Sequence, residues 1–93
     1  MVVGVIDWEL EIYGCQSLKE KRSVLKSLKD RLHNRLNVSV AETGHQDVWQ
    51  RAELTACVVS TERRHADSVL ASADQLVNSE PRARIIRVQR SYL

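Results

Sequence analysis

Residues 6–20 read Ile-Asp-Trp-Glu-Leu-Glu-Ile-Tyr-Gly-Cys-Gln-Ser-Leu-Lys-Glu, and two periodicities meet inside them. Ile6, Trp8, Leu10 and Ile12 alternate with Asp7, Glu9, Glu11 and Tyr13. Successive side chains of a strand point to opposite faces, so this stretch has one apolar and one polar face and belongs to a sheet covered on one side. Gly14 breaks the alternation. Ser17 and Glu20 then stand at capping-box spacing, where a hydroxyl and a carboxylate satisfy the free backbone donors of a helix start. The chain therefore opens with a strand, a short loop and a helix.

Working outward, Leu18, Leu25, Leu28, Leu32 and Leu36 fall in one arc at about 100° per residue, giving an amphipathic helix of roughly five turns that stops near Asn37. Val38 and Val40 alternate with Ser39 and Ala41 as a short second strand, and residues 42–47 have the polar, Gly-containing character of a hairpin loop. In a third strand Val48, Ala52, Leu54, Ala56 and Val58 share one parity, with Trp49, Arg51, Glu53, Thr55, Cys57 and Val59 opposite. Ser60 or Thr61 is expected to cap a second helix whose apolar arc is Ala66, Val69, Leu70, Ala73, Leu76 and Val77, ended by Glu80-Pro81. Ile85, Ile86 and Val88 mark a fourth strand. Its register stays open, since Arg84, Ile86, Val88 and Arg90 share one parity while Ile85, Arg87 and Gln89 share the other.

This order is the split β-α-β plan, an α+β, ferredoxin-like β-α-β-β-α-β domain: a four-stranded antiparallel sheet, strand order four-one-three-two, with both helices on one face. Charge agrees. Asp7, Glu9 and Glu11 on the first strand face a fourth strand that offers Arg82, Arg84, Arg87 and Arg90.

Composition narrows the class. The 93 residues suffice for one domain and are too few for two, as domains usually run to about 100–150 residues. Hydrophobic residues at 43% and charged residues at 28%, with one Pro and three Gly, exclude collagenous and disordered chains. No apolar run approaches the roughly 20 residues that cross a bilayer, so no membrane partner and a cytoplasmic address are expected. Cys15 and Cys57 lack metal-ligand or CxxC spacing and are expected to be reduced thiols. His33, His45 and His65 fall on different elements, and neither a P-loop nor a GxSxG motif occurs, so neither catalytic residues, metal nor cofactor are expected.

Three surfaces remain. On the long helix Lys19, Arg22, Lys26, Lys29 and His33 recur at helical spacing as one basic stripe, and from Leu18 to Leu36 seven Lys or Arg accompany two acids. Such a stripe can follow the phosphates of RNA. On the open sheet face the antiparallel geometry brings Val3 and Val5 beside Cys57 and Val59, an apolar cluster suited to self-association as a dimer. At the other end Tyr13 approaches Trp49 and Arg51, a set able to stack bases, although Glu9, Glu11 and Glu53 nearby repel phosphate. Lys21 turns toward the apolar arc, where it is expected either to snorkel or to meet Glu9 or Glu11.

The stretches MVVGVI, SLKEKRSVLKSLKDRLHNRLNVSVAE and QDVWQRAELTACVVS resemble the YlxP-like bacterial proteins, a family classed as a domain of unknown function. The resemblance implies the same ferredoxin-like fold and a bacterial cytosolic origin. It carries no activity and no active site to transfer. Its implied genetic setting beside translation-initiation and ribosome-maturation factors makes RNA or a ribosomal particle the expected partner of a non-enzymatic binding module.

Overall fold

The computed structural model describes residues 1–93. Its elements run β1 (Val2–Ile12), α1 (Leu18–Arg35), β2 (Ser39–Gly44), β3 (Arg51–Ser60), α2 (Arg63–Asn78) and β4 (Ala83–Tyr92). The strands form one sheet in the order β2-β3-β1-β4, and every neighbouring pair is antiparallel. The architecture is the ferredoxin-like fold expected from the strand and helix periods.

β1 organises the sheet because it pairs on both sides. Its even-numbered residues Ile6, Trp8, Leu10 and Ile12 are buried against the helices, opposite Ala52, Leu54 and Ala56 of β3. From α1 come Val24, Leu25, Leu28 and Leu32, and from α2 Ala66, Leu70, Ala73, Leu76 and Val77. At about 25 cal/mol per Å² of apolar surface buried, this one-sided layer is the main force holding the helices to the sheet. The Trp8 indole, fully buried, keeps its donor satisfied by giving Nε1–H to Asp74 Oδ1 at 2.9 Å.

The loop into α1 follows from its residues. Gly14 has φ +60°, a left-handed conformation that costs a side chain-bearing residue about 1–2 kcal/mol. Ser17 Oγ accepts the Glu20 backbone N–H at 3.1 Å, and Glu20 Oε2 accepts the Gln16 backbone N–H at 2.8 Å. The reciprocal cap thus reaches one residue further back than the standard box.

Three boundaries differ from the sequence expectations. β2 extends through Glu42 and Thr43 to Gly44, because these residues still pair with β3 and the chain turns only at His45. β3 starts at Arg51, which leaves Val48 and Trp49 in the turn, half exposed and outside the strand alternation. Neither Ser60 nor Thr61 is the cap of α2: that position is Glu62, which makes no side-chain capping bond, while Ser60 Oγ accepts the Glu62 N–H.

The register of β4 is settled by a bulge. Ile85 lies opposite Leu10 and Arg87 opposite Glu9, so Ile86 is the extra residue. A bulge shifts face parity by one, which sets both Arg84 and Arg87 on the open face although they are an odd number of residues apart. Arg84 meets Glu11 at 3.2 Å and Arg87 meets Glu9 at 3.7 Å. Arg82 and Arg90 do not join them. Arg82 turns to Glu80, and Arg90 lies opposite Ile6 on the helix-facing side.

Glu80 fastens the start of β4 to α1. Its side chain is 2% exposed and takes Arg82 at 2.9 Å and Arg31 at 2.7 Å. The Arg82 hydrogen bond first, then the Arg82 backbone N–H and both guanidinium charges, hold the carboxyl at about 2 against an ordinary 4.5. A depressed carboxylate stabilises the fold fully above its unfolded value and loses that contribution as pH falls toward the folded one. Glu80→Gln should therefore cost about 3 kcal/mol at pH 7, at 1.36 kcal/mol per pKa unit. Urea denaturation across pH should show this difference shrinking between pH 4.5 and 2 as the wild type loses stability.

Candidate nucleic-acid interface

α1 packs over β2 at one side of the sheet, while α2 covers β1, β3 and β4. Arg31 and Arg35 sit on the flank of α1 that faces α2: Arg31 reaches Glu80, and Arg35 lines a cleft with Ser72, Gln75 and Ser79. By helical rotation the flank carrying Lys19, Arg22, Lys26, Lys29 and His33 points away from α2, outward past the β2 edge. Lys19, Arg22, Lys26 and His33 are exposed and Lys29 is half-buried. At 1.5 Å per residue, Lys19 to Lys29 spans about 15 Å.

Pairing separates these bases from most others in the chain. Of the 14 Lys and Arg, Lys21, Lys26, Arg31, Arg51, Arg63, Arg82, Arg84 and Arg87 have a carboxylate partner. Lys19, Arg22 and Lys29 have none, so three stripe bases are free to take an outside anion. Lys26 is held by Asp30 at 2.8 Å, one helical turn away. That contact raises the lysine pKa and lowers that of the aspartate, hydrogen bonding leading in both. The pair is exposed on both sides and adds little stability, yet it cancels one stripe charge. The spacing of Lys26 and Asp30 was legible in the sequence as an i, i+4 pair.

Lys21 departs from its expected partners. It is 1% exposed, with Nζ 2.9 Å from Glu42 Oε2 and donating a hydrogen bond to the His45 carbonyl. Glu9 and Glu11 are excluded because they point to the face opposite the helices. Glu42 lies across from Leu54, so it occupies a helix-facing position of β2 and comes under α1. The ammonium–carboxylate distance is that of an ion pair, but Glu42 Oε2 lacks hydrogen-bond geometry, and the directed bond goes to His45. His45 has φ +57°, so Lys21 ties down a left-handed residue and with it the turn between β2 and β3.

The open face is electrostatically closed. Glu9 draws His45 Nε2 at 3.2 Å, Arg51 Nη1 at 3.5 Å and Arg87 Nη2 at 3.7 Å. Glu53 and Asp7 join through hydroxyls, Thr43 bonding to Glu53 and Thr55 to Asp7. Tyr13 and Trp49 are 52% and 44% exposed at one end, where the Ile12 N–H meets the Gln50 carbonyl, and the Arg51 beside them is committed to Glu9. At the other end Val3 lies opposite Val59 and Val5 opposite Cys57, bringing the four apolar residues together, with Val59 66% exposed. Both cysteines are free thiols. No group of three or more His, Cys, Asp or Glu is placed to hold a metal ion, and no helix is long and apolar enough to cross a membrane.

Solved structures with this architecture include a de novo designed protein with a ferredoxin fold, 15% identical with a TM-score of 0.54, covering 99% of this chain and 85% of the design. SnoaB, a cofactor-independent oxygenase from Streptomyces nogalater, is 10% identical with a TM-score of 0.52, covering 99% and 90%. At such identities the likeness is one of fold, and the class defined is a ferredoxin-like α+β protein with an outward basic helix flank. Within it the chain belongs to the family described as Protein of unknown function (DUF503), whose model matches residues 3–90. The Uncharacterized protein YlxP of Bacillus subtilis (strain 168) is 39% identical over 80 residues, 86% of this chain and 87% of that protein.

Removing one partner of a buried ion pair strands the other. Lys21→Ala should cost about 3 kcal/mol in urea denaturation, whereas Lys21→Met combined with Glu42→Leu should recover more than half of that loss.

Proposed function

We propose that this protein is a non-enzymatic binding module that contacts structured RNA, free or within a ribosomal particle, through the outward flank of α1. The observation that carries the reading is the gathering of unpaired bases on one flank: Lys19, Arg22 and Lys29 have no carboxylate partner there, eight bases are neutralised within the chain, and the remaining three, Arg35, Arg64 and Arg90, are scattered over the other flank of α1, α2 and β4. A lysine or arginine without an internal partner can exchange counterions for phosphate at little cost, and that exchange dominates affinity for nucleic acids.

Duplex backbone suits this surface better than single strands. Bases of single strands are held by stacking on aromatic side chains, and the stripe carries none. The half-exposed Tyr13 and Trp49 lie outside the stripe, after the end of β1 and before the start of β3, and the open face beside Arg51 carries Glu9, Glu11 and Glu53, whose charge opposes phosphate. Double-stranded RNA is recognised through its phosphates and 2′-hydroxyls with little use of base identity, which a flexible row of cations can supply. A second reading, a self-assembling protein-interaction domain working through the open face, is favoured by the register that gathers Val3, Val5, Cys57 and Val59.

Binding to an RNA duplex of about 16 base pairs, followed across salt, tests the proposal. Log affinity should fall against log salt with a slope of about −3, one unit per free stripe cation. Joint reversal by Lys19→Glu, Arg22→Glu and Lys29→Glu should weaken binding by about 10²-fold or more in a protein that still melts cooperatively. Asp30→Asn releases Lys26 and should steepen the slope by about one unit while tightening binding. Equal affinity of the reversal variant would refute the assignment.

A further inference from the structure

The sheet ends in two unpaired edges that are built differently. The β4 edge carries Arg84, Arg87 and Arg90 and a bulge at Ile86, the devices by which proteins keep an edge strand from pairing with another chain. β2 has no Lys, Arg or Pro, and its single charged residue, Glu42, is turned under α1 to Lys21. Its own register shift falls at Thr43 beside the turn and leaves Ser39–Glu42 regular. On the open face beside this edge, across β2 and β3, lies an apolar groove of about 190 Å³ lined by Ser39, Val40, Ala41, Thr43, Thr55 and Cys57. The edge lacking protective charge is thus also the one flanked by apolar surface.

We infer that the β2 edge is a docking surface for a second copy of this chain, joining two sheets into one of eight strands. An antiparallel strand edge is complementary to itself, and a two-fold axis perpendicular to the sheet gives each copy's backbone donors the other's acceptors. Facing residues of such a pair share a face, so the axis lies midway between a residue and its own copy. Centred on Val40, the regular segment sets Val40 against the partner's Val40, Ser39 against the partner's Ala41 and Val38 against the partner's Glu42. No like charges oppose one another. The same axis leaves all four helices on one side and makes the two α1 helices neighbours, their basic flanks turned toward a shared cleft.

The consequence for RNA rests on the reading of α1 given above; the dimer itself does not. With both flanks converging, repulsion among Lys19, Arg22 and Lys29 of the two copies opposes the dimer at low ionic strength, where the Debye length reaches about 30 Å at 0.01 M. Dimerisation therefore tightens as salt rises, opposite in sign to RNA binding.

Sedimentation equilibrium without RNA, up to about 200 µM protein, tests the interface, since a micromolar contact is largely occupied there. Wild-type protein is expected to dimerise, more tightly at high than at low salt. Ser39→Lys with Ala41→Lys opposes like charges across the axis and should weaken the dimer by about 10-fold or more, while Ser39→Lys with Ala41→Glu pairs opposite charges there and should restore it. Gln89→Lys, on the β4 edge, should change nothing. Thermal melts confirm that each variant is folded. A monomer throughout would overturn the inference. So would dissociation by Gln89→Lys or by Val59→Lys with the paired Lys substitutions silent, which would move the interface to β4 or to the open face. The Lys19, Arg22 and Lys29 reversal separates the two proposals. It should weaken RNA binding by about 10²-fold or more and leave the dimer intact, whereas the Ser39 and Ala41 Lys pair should leave RNA bound by monomers.

Discussion

Everything else in the structure is arranged around the alternation along β1. That strand is hydrogen-bonded on both sides, so the face to which Ile6, Trp8, Leu10 and Ile12 point is fixed for the whole sheet. Slipping either neighbour by one residue would turn its apolar set to solvent and bring charges under the helices. The apolar face admits α1 and α2 and closes one core. The polar face is left open, and its acids are answered by Arg51, Arg84, Arg87 and His45.

This division explains where free positive charge can remain. On the open face of the sheet Arg51, Arg84 and Arg87 stand close to acids across the strands and are neutralised. On α1 the flank toward α2 is served by Glu80, the buried Lys21 by Glu42 and Lys26 by Asp30. The outward flank has no neighbouring element to supply further carboxylates. Arg35, Arg64 and Arg90 stay unpaired singly elsewhere, whereas Lys19, Arg22 and Lys29 are left over together on this flank. A surface made this way is suited to a polyanion and poor at reading bases, because it presents charge without stacking groups or buried polar pockets.

The fold was legible in the sequence because its two periods are undisturbed. Alternation from Ile6 to Ile12, the Ser17 and Glu20 cap and the leucine arc of α1 each report a local preference that the tertiary structure keeps. What failed to show depends on elements distant in sequence. Lys21 was visibly on the apolar arc, but its partner required the sheet face of Glu42, which was hidden while residues 42–47 read as loop. One further step of the Val38–Val40 alternation lands on Glu42 and would have found it. The β4 bulge was invisible because no local signal marks Ile86, and only the pairing with β1, which sets Ile85 opposite Leu10 and Arg87 opposite Glu9, reveals it. The stripe itself was legible from spacing alone, whereas the neutralisation of its middle member came from Asp30, already present at i, i+4.

The most direct measurement is a backbone-amide NMR titration of the labelled protein with a short RNA duplex at moderate salt. Progressive, saturable shifts centred on Lys19, Arg22, Lys26, Lys29 and His33, with β1 and the open face of β3 unmoved, are expected of an α1 interface. Shifts centred instead on Tyr13, Trp49, Arg51 or the Val3–Val59 cluster, or no shifts at low salt, would contradict it.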